Sequence, residues 1–514
     1  MKEKMTQQRW LMCLMLFFAT TVNYLDRQVL SLTWKDFIAP EFHWTDANYG
    51  EIAAIFSIAY AISTIFAGRF IDKIGIKRGY LWSIGIWSVG ACLHALCGLF
   101  TEHFVGLESA SALEAVRSGS ALALSIASIS TYAFIAARLI LAIGEAGNFP
   151  SAIKVVAEYF PKRDRAFATA IFNTGASVGA LVAPLSIPLI ARYFKSIGFG
   201  GGWEMAFLLI GGLGFIWMGF WIFVYDKPSE NRRMDSAERE YIALDETEEV
   251  TTASVTSETS VTSETSVTSE TSVTSETSEA SGTGEATTTE RTLTFWECLT
   301  FRQTWAFIVG KFMSDGVWWF FLFWTPAYIS DVYGYTSDSG MGMVAIFTIY
   351  LISMLSIVGG KLPSIIMNRT NKDPYAARMQ AMLIFAFFPV LALLAQPLGE
   401  VSIWCPILII GIVGAAHCSW AANIYSTVSD MFPKSSVGTI IGIGTTAGGL
   451  SSFIINMGSG KLFTYAEAHS LRFMGFEGKP AGYFIVFSIC AVAYILGWVI
   501  MKVLVPKYSP IVVK

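Results

Sequence analysis

Apolar residues along this chain gather into runs of about twenty, separated by short polar connectors. Runs of that length cross a bilayer as helices, because a helix satisfies its own backbone hydrogen bonds where lipid offers none. The pattern predicts about twelve spans, at residues 10–33, 48–70, 79–99, 121–147, 167–192, 204–225, 304–330, 343–366, 379–397, 402–428, 438–463 and 482–505. The expected fold class is therefore all-α and polytopic. The first run lacks a small-residue cleavage site and contains Asp26 and Arg27, so it reads as a retained span and not a cleaved signal.

The pattern breaks once, between spans six and seven. SVTSET recurs four times from Ser254 to Thr277, inside a Ser/Thr/Glu-rich stretch that cannot bury enough apolar surface to fold. This divides the chain into a six-helix half at 1–225, a flexible linker at 226–302 and a second six-helix half at 303–514. The halves echo each other: EYFPK at 158–162 returns as DMFPK at 430–434, and the same offset of 272 sets Glu145 opposite His417. Repeated halves are the construction of many secondary transporters, with the substrate site where they meet.

Lysine and arginine favour one side of these spans. Lys2, Lys4 and Arg9 precede span one; Arg69, Lys73, Lys77 and Arg78 follow span two; Lys162, Arg163 and Arg165 follow span four; Arg369, Lys372 and Arg378 follow span eight. Positive segments stay inside, so both termini are expected in the cytoplasm.

Composition agrees. The 514 residues are 54% hydrophobic and 14% charged, well below the quarter typical of soluble domains. A net charge of -4 gives no sign of nucleic-acid binding. The seven cysteines are scattered singly, without metal-type spacing, and read as small apolar filler. No nucleophile–base constellation or nucleotide loop points to an enzyme, and no metal or cofactor is expected.

Ionisable residues inside spans are the exception that asks for a function, since each costs at least about 2.5–3.5 kcal/mol to insert. Here they are Asp26, Arg27, Arg138, Glu145, Lys311, Asp315 and His417. Arg138 and Glu145 lie seven apart, close to two helical turns, and so share a face. Asp26 and Arg27 are adjacent and point about 100° apart. One reading is a salt-bridge lattice that staples spans one and four. The other is a site: arginines that grip an anion through two parallel bonds, beside carboxylates that load and release protons. For Lys311 and Asp315, four apart, a mutually satisfied pair and a site both fit. For His417 a satisfied core histidine and a functional one both fit. The site reading is the chemistry of a proton-coupled symporter for an organic anion, driven by the proton gradient.

Certain stretches also resemble a known family. GRFIDKIGIKRG at 68–79 resembles the loop signature between spans two and three of the major facilitator superfamily, with Gly68, Asp72, Gly75, Lys77 and Arg78 in place. Lys73 stands where arginine is usual, which keeps the charge but loses the planar fork. In that family the loop is understood to lock one gating state through charge pairing and helix-end contacts. NYLDR, RLILAIGEAGNFPSAIK and WFFLFWTPAY resemble its anion:cation symporter branch, which includes galactonate, glucarate and hexuronate transporters, sialin and vesicular glutamate transporters. The resemblance covers nearly the whole chain outside the Ser/Thr-rich stretch.

The resemblance implies that Arg27, helped by Arg138, binds a substrate carboxylate, that Asp26 and Glu145 carry protons, and that Tyr60 faces substrate. Tyr24, Asn173 and His417 are further candidate hydroxyl partners. Ala176 stands where the galactonate transporters place a glutamine, whereas AHCSWAANIYSTVSDMF and FNTGASVGALVAP look more like the hexuronate transporters. The expectation is a monomeric importer of galacturonate or glucuronate. Alternatives are another organic anion (aldonate, aldarate or acidic amino acid) or a membrane sensor that binds a sugar acid without moving it.

Overall fold

The computed structural model describes residues 5–242, 293–433 and 436–511. The SVTSET repeats, with Lys2, Lys4 and Lys434, lie outside the described residues. The architecture is helical, as the apolar runs dictate, and each expected span is found. Span one is Gln8–Thr33, two Asp46–Ile74, three Ile76–His94 and four Ala121–Glu145 with Asn148–Tyr159. Span five is Lys162–Ser196, six Trp203–Val224, seven Arg302–Tyr333 and eight Gly340–Ser353 with the short pieces to Thr370. Span nine is Pro374–Phe387 continued to Gly399, ten Trp404–Met431, eleven Val437–Ala468 and twelve Lys479–Leu504.

By length and apolar composition nine described helices qualify as membrane spans, or ten with the bent pair Ile76–His94 and Cys97–Val105. The remainder fall short for local reasons. Span one carries Arg9, Asp26 and Arg27, and span eight breaks after Ser353. Among the described residues the only strands are Arg472–Phe473 and Phe476–Glu477, a hairpin between spans eleven and twelve.

Within the first six helices, span one packs along span five. Gly175 and Gly179 face it so closely that a Cβ at Gly179 would stand 2.6 Å from the Thr21 carbonyl oxygen. Small residues allow that approach where lipid supplies no hydrophobic drive between helices. The glycines of span eleven do not all serve this end. Gly438 and Gly442 have nothing near, whereas Gly448 lies against the Asp315 side chain.

The hydrogen bonds and ion pairs that join the two groups of six helices gather on residues 28–57 of the first. Lys35 reaches Asp331 at 2.7 Å, and Lys479 reaches Asp46 at 2.8 Å while also pairing with Glu467 of its own group at 3.1 Å. Asp36 accepts from Ser330 Oγ at 2.9 Å and from the Ser337 amide at 2.7 Å. Beneath these the Trp34 and Tyr49 rings stack at 4.2 Å, Tyr49 donates to the Phe323 carbonyl, and Trp324 donates to Asn456. Gly50 and Gly460 sit backbone to backbone, 2.9 Å from a Cβ placed on Gly50 to the Gly460 Cα. This face of the molecule, at the ends of spans one and seven and the starts of spans two and twelve, is closed.

Candidate functional site

Arg27 and Glu145 meet at the centre of the first six helices. Arg27 Nε and Nη2 both donate to Glu145 Oε2, at 3.0 and 2.6 Å. Glu145 stands where span four breaks, just before Gly147, whose missing side chain leaves room for Ser83 of span three. Arg138, two turns earlier on the same face, donates from Nη2 to the Arg27 carbonyl at 3.4 Å, and its Nε and Nη1 are buried without partners. Oε1 of Glu145 is likewise buried and unpartnered. Unsatisfied buried groups of this kind are costly and call for a ligand or water to complete them.

Aromatic rings enclose the Arg27 guanidinium. Tyr60 lies 4.8 Å from it, Trp319 5.0 Å, Tyr24 5.2 Å and Phe56 5.8 Å. Phe56 and Trp319 come from spans two and seven, so the site is built by both halves. Cation–π contact of this kind holds the guanidinium against a low-dielectric wall. Tyr24, Tyr60 and Trp319 are only half buried, which leaves an approach to the cation.

Asp26 does not line this site. The Trp87 indole of span three lies beside its carboxylate, whose two oxygens are buried. The roughly 100° between adjacent helical residues sends Arg27 toward span four and Asp26 into its own bundle. Asp26 remains within electrostatic reach of Arg138 and Glu145.

The remaining candidates divide. Asn173 is exposed, on the face of span five away from Gly175, and is not joined to the cluster. His417 is buried, stacks on Trp318 at 4.8 Å and places Nδ1 2.6 Å from the Tyr494 hydroxyl. Lys311 reaches both oxygens of Asp315, at 2.9 and 2.7 Å, and donates to Tyr425 at 2.9 Å.

In the loop at 68–79, Gly75 caps span two with φ 84, a left-handed value that favours glycine. Lys154 of span four bridges Asp72 and the Gly68 carbonyl, and Lys77 pairs with Asp226 at 3.1 Å. Lys73 and Arg78 are exposed. None of these pairs reaches the second half.

Sequence reasoning missed the ion cluster on the closed face. Lys35, Asp46, Asp331 and Lys479 are far apart in sequence, and the signal that joins them is the alternating direction of the spans. Spans one and seven end, and spans two and twelve begin, on one side.

A family model described as Major Facilitator Superfamily matches residues 16–456. The chain belongs to this superfamily. It is thus a multi-pass membrane transport protein and not an enzyme, and the two groups of six helices are the halves of the superfamily fold. It is 23% identical over 466 residues to the hexuronate transporter of Escherichia coli (strain K12), covering 90% of this chain and 89% of that one. It is 24% identical to the galacturonate transporter of Dickeya chrysanthemi, covering 69% and 81%. A protein named "Probable galactarate/D-glucarate transporter" of E. coli (strain K12) is 28% identical over 47% of each chain. Among solved structures, a bacterial homolog of the human lysosomal transporter Spinster superposes with a TM-score of 0.63 at 16% identity, covering 98% of this chain and 97% of that one. A D-xylose-proton symporter superposes with a TM-score of 0.62 at 15% identity, covering 97% of each.

Proposed function

We propose that the protein is a proton-coupled symporter that imports a hexuronate, galacturonate or glucuronate, by alternating access. The observation that carries this reading is the Arg27–Glu145 pair. Glu145 occupies the donors that a substrate carboxylate needs, so anion and ionised Glu145 compete for one guanidinium. A proton on Glu145 removes its charge and frees Arg27 for the substrate. Proton and anion then favour each other's binding, which is the coupling free energy a symporter requires. Asp26, close to Glu145 but turned from the site, is assigned as a second proton carrier. Tyr24 and Tyr60 are assigned as hydroxyl partners at the rim.

The hexuronate assignment leans on the relatives' names and on the full-length match to one of them. With the termini in the cytoplasm of a bacterial inner membrane, the closed face is external and the site opens inward. The linker at 226–302 connects the two halves in sequence. A second reading, an aldarate as cargo, is favoured by the 28% identity to a galactarate/D-glucarate relative over half the chain.

Uptake of labelled galacturonate into proteoliposomes tests the proposal. An inward proton gradient should drive accumulation above equilibrium. Uptake that ignores the gradient would refute proton coupling, and absence of sugar-acid uptake would refute the substrate class.

A further inference from the structure

We infer that Glu467 competes with Asp46 for Lys479 and holds that lysine when the halves part, so that the closed face opens by exchanging ion partners. This rests on the alternating-access reading above and adds to it a residue that sets how readily the face opens.

Four charges alternate around a ring on that face. Lys35 lies 2.7 Å from Asp331, Asp331 3.4 Å from Lys479, Lys479 2.8 Å from Asp46, and Asp46 3.6 Å from Lys35. Lys35 and Asp46 belong to the first half, Asp331 and Lys479 to the second. The two short sides of the ring therefore cross between halves, and the two long sides lie within one. Parting the halves as rigid bodies breaks the short sides and keeps the long ones. Each lysine then still has a carboxylate of its own half. Tyr483, also of the second half, stays with Asp331 through a 3.0 Å hydrogen bond.

Glu467 stands outside the ring, 3.1 Å from Lys479 and in the same half. It occupies the last turn of span eleven, where the helix dipole disfavours an acid, and Lys479 occupies the first turn of span twelve, where it disfavours a cation. Neither charge suits its own helix end, and each offsets the other. The Lys479 ammonium has three hydrogens and three carboxylates within reach, Asp46, Asp331 and Glu467. Asp46 and Glu467 thus converge on one cation from opposite halves, and their like charges repel. Opening relieves that repulsion and leaves Lys479 to Glu467 and Asp331. Removing the Glu467 charge therefore favours the closed state, the reverse of removing Asp331 or Asp46.

Maleimide labelling of Ser57→Cys in the full-length purified protein tests this, with the unmodified chain as the blank for its own cysteines. Ser57 is buried and accepts a hydrogen bond from Ser452 across the halves, so parting them exposes it. Glu467→Gln should slow labelling about threefold, the scale of one ion pair whose acid is 64% exposed. Asp331→Asn should speed it. In an Asp46→Asn background the competition is gone, so Glu467→Gln should then change the rate little. If Asp331→Asn speeds labelling but Glu467→Gln speeds it too, leaves it unchanged, or slows it equally without Asp46, the inference is overturned and the transporter reading stands. Labelling that neither Asp331→Asn nor Asp46→Asn alters would overturn opening at this face, and the inference with it.

Discussion

Arg27 directs two N–H donors at a single oxygen of Glu145, at 3.0 and 2.6 Å, while the other oxygen of that carboxylate stays buried and unpartnered. Half of the acid is therefore held and half is waiting. A pair built only to fasten spans one and four would be expected to satisfy both oxygens, since an unmade buried bond costs about 1–3 kcal/mol.

Replacing Glu145 by Gln should separate binding from coupling. The competing charge is gone, so sugar-acid affinity near neutral pH should rise and lose its dependence on pH. Accumulation against a gradient should be lost while exchange of bound substrate persists. Binding titrations at several pH values and gradient-driven uptake check both halves of the statement.

Arg27→Ala should lower sugar-acid affinity by about a hundredfold or more, because charge-assisted bonds of about 1.5–3 kcal/mol each disappear. Arg27→Lys keeps a cation beside Glu145 but not the two-pronged geometry, and should fall between the two. Equilibrium binding to folded, monodisperse protein decides; normal affinity in Arg27→Ala would remove the clamp from the site.

The closed face should open when its ions are discharged. Asp331→Asn leaves Lys35 without its 2.7 Å partner, and Asp46→Asn leaves Lys479 without its own at 2.8 Å. Breaking a fully buried pair costs about 3–5 kcal/mol. The lysine side chains here are 21% and 12% exposed, so the effect is smaller, about tenfold in the population of the closed state. Labelling of a cysteine placed beneath Trp34 should speed up accordingly, and high salt should mimic the change in the unmodified protein.

Glu41 gives stability a pH dependence. It lies outside the spans, in Ala39–Phe42, where burial pushes its carboxyl up to about 8 and the Trp203 indole bond at 2.8 Å only partly opposes this. The folded protein holds this proton more tightly than the unfolded chain. The contribution is therefore fully present below the ordinary glutamate range and is lost as pH rises through about 8. Glu41→Gln should raise the melting temperature at pH 8–9 and leave it nearly unchanged at pH 5, as read by thermal unfolding in detergent.

Much of this was legible in the chain. Apolar runs marked every span, because a membrane imposes length and composition on whatever crosses it. The 100° step between neighbours separated Arg27 from Asp26 correctly, and the seven-residue spacing placed Arg138 and Glu145 on one face. Spacing within a helix could not say which carboxylate Arg27 would take, since that depends on how span four breaks near Gly147. Nor could it join Asp46 to Lys479, which meet only after the second half has folded back on the first.

Span eleven carries a last consequence. Gly448 rests on Asp315 within its own half, while its neighbour Gly449 rests on Ala61 of span two, and one turn on Ser452 donates to Ser57. Consecutive residues thus touch an internal ion pair on one side and the opposite bundle on the other. If the bundles tilt, span eleven behaves as a fulcrum, and the Lys311–Asp315 pair feels the motion without travelling with the cargo. The second half would then sense the gate mechanically, while the first half senses it through charge.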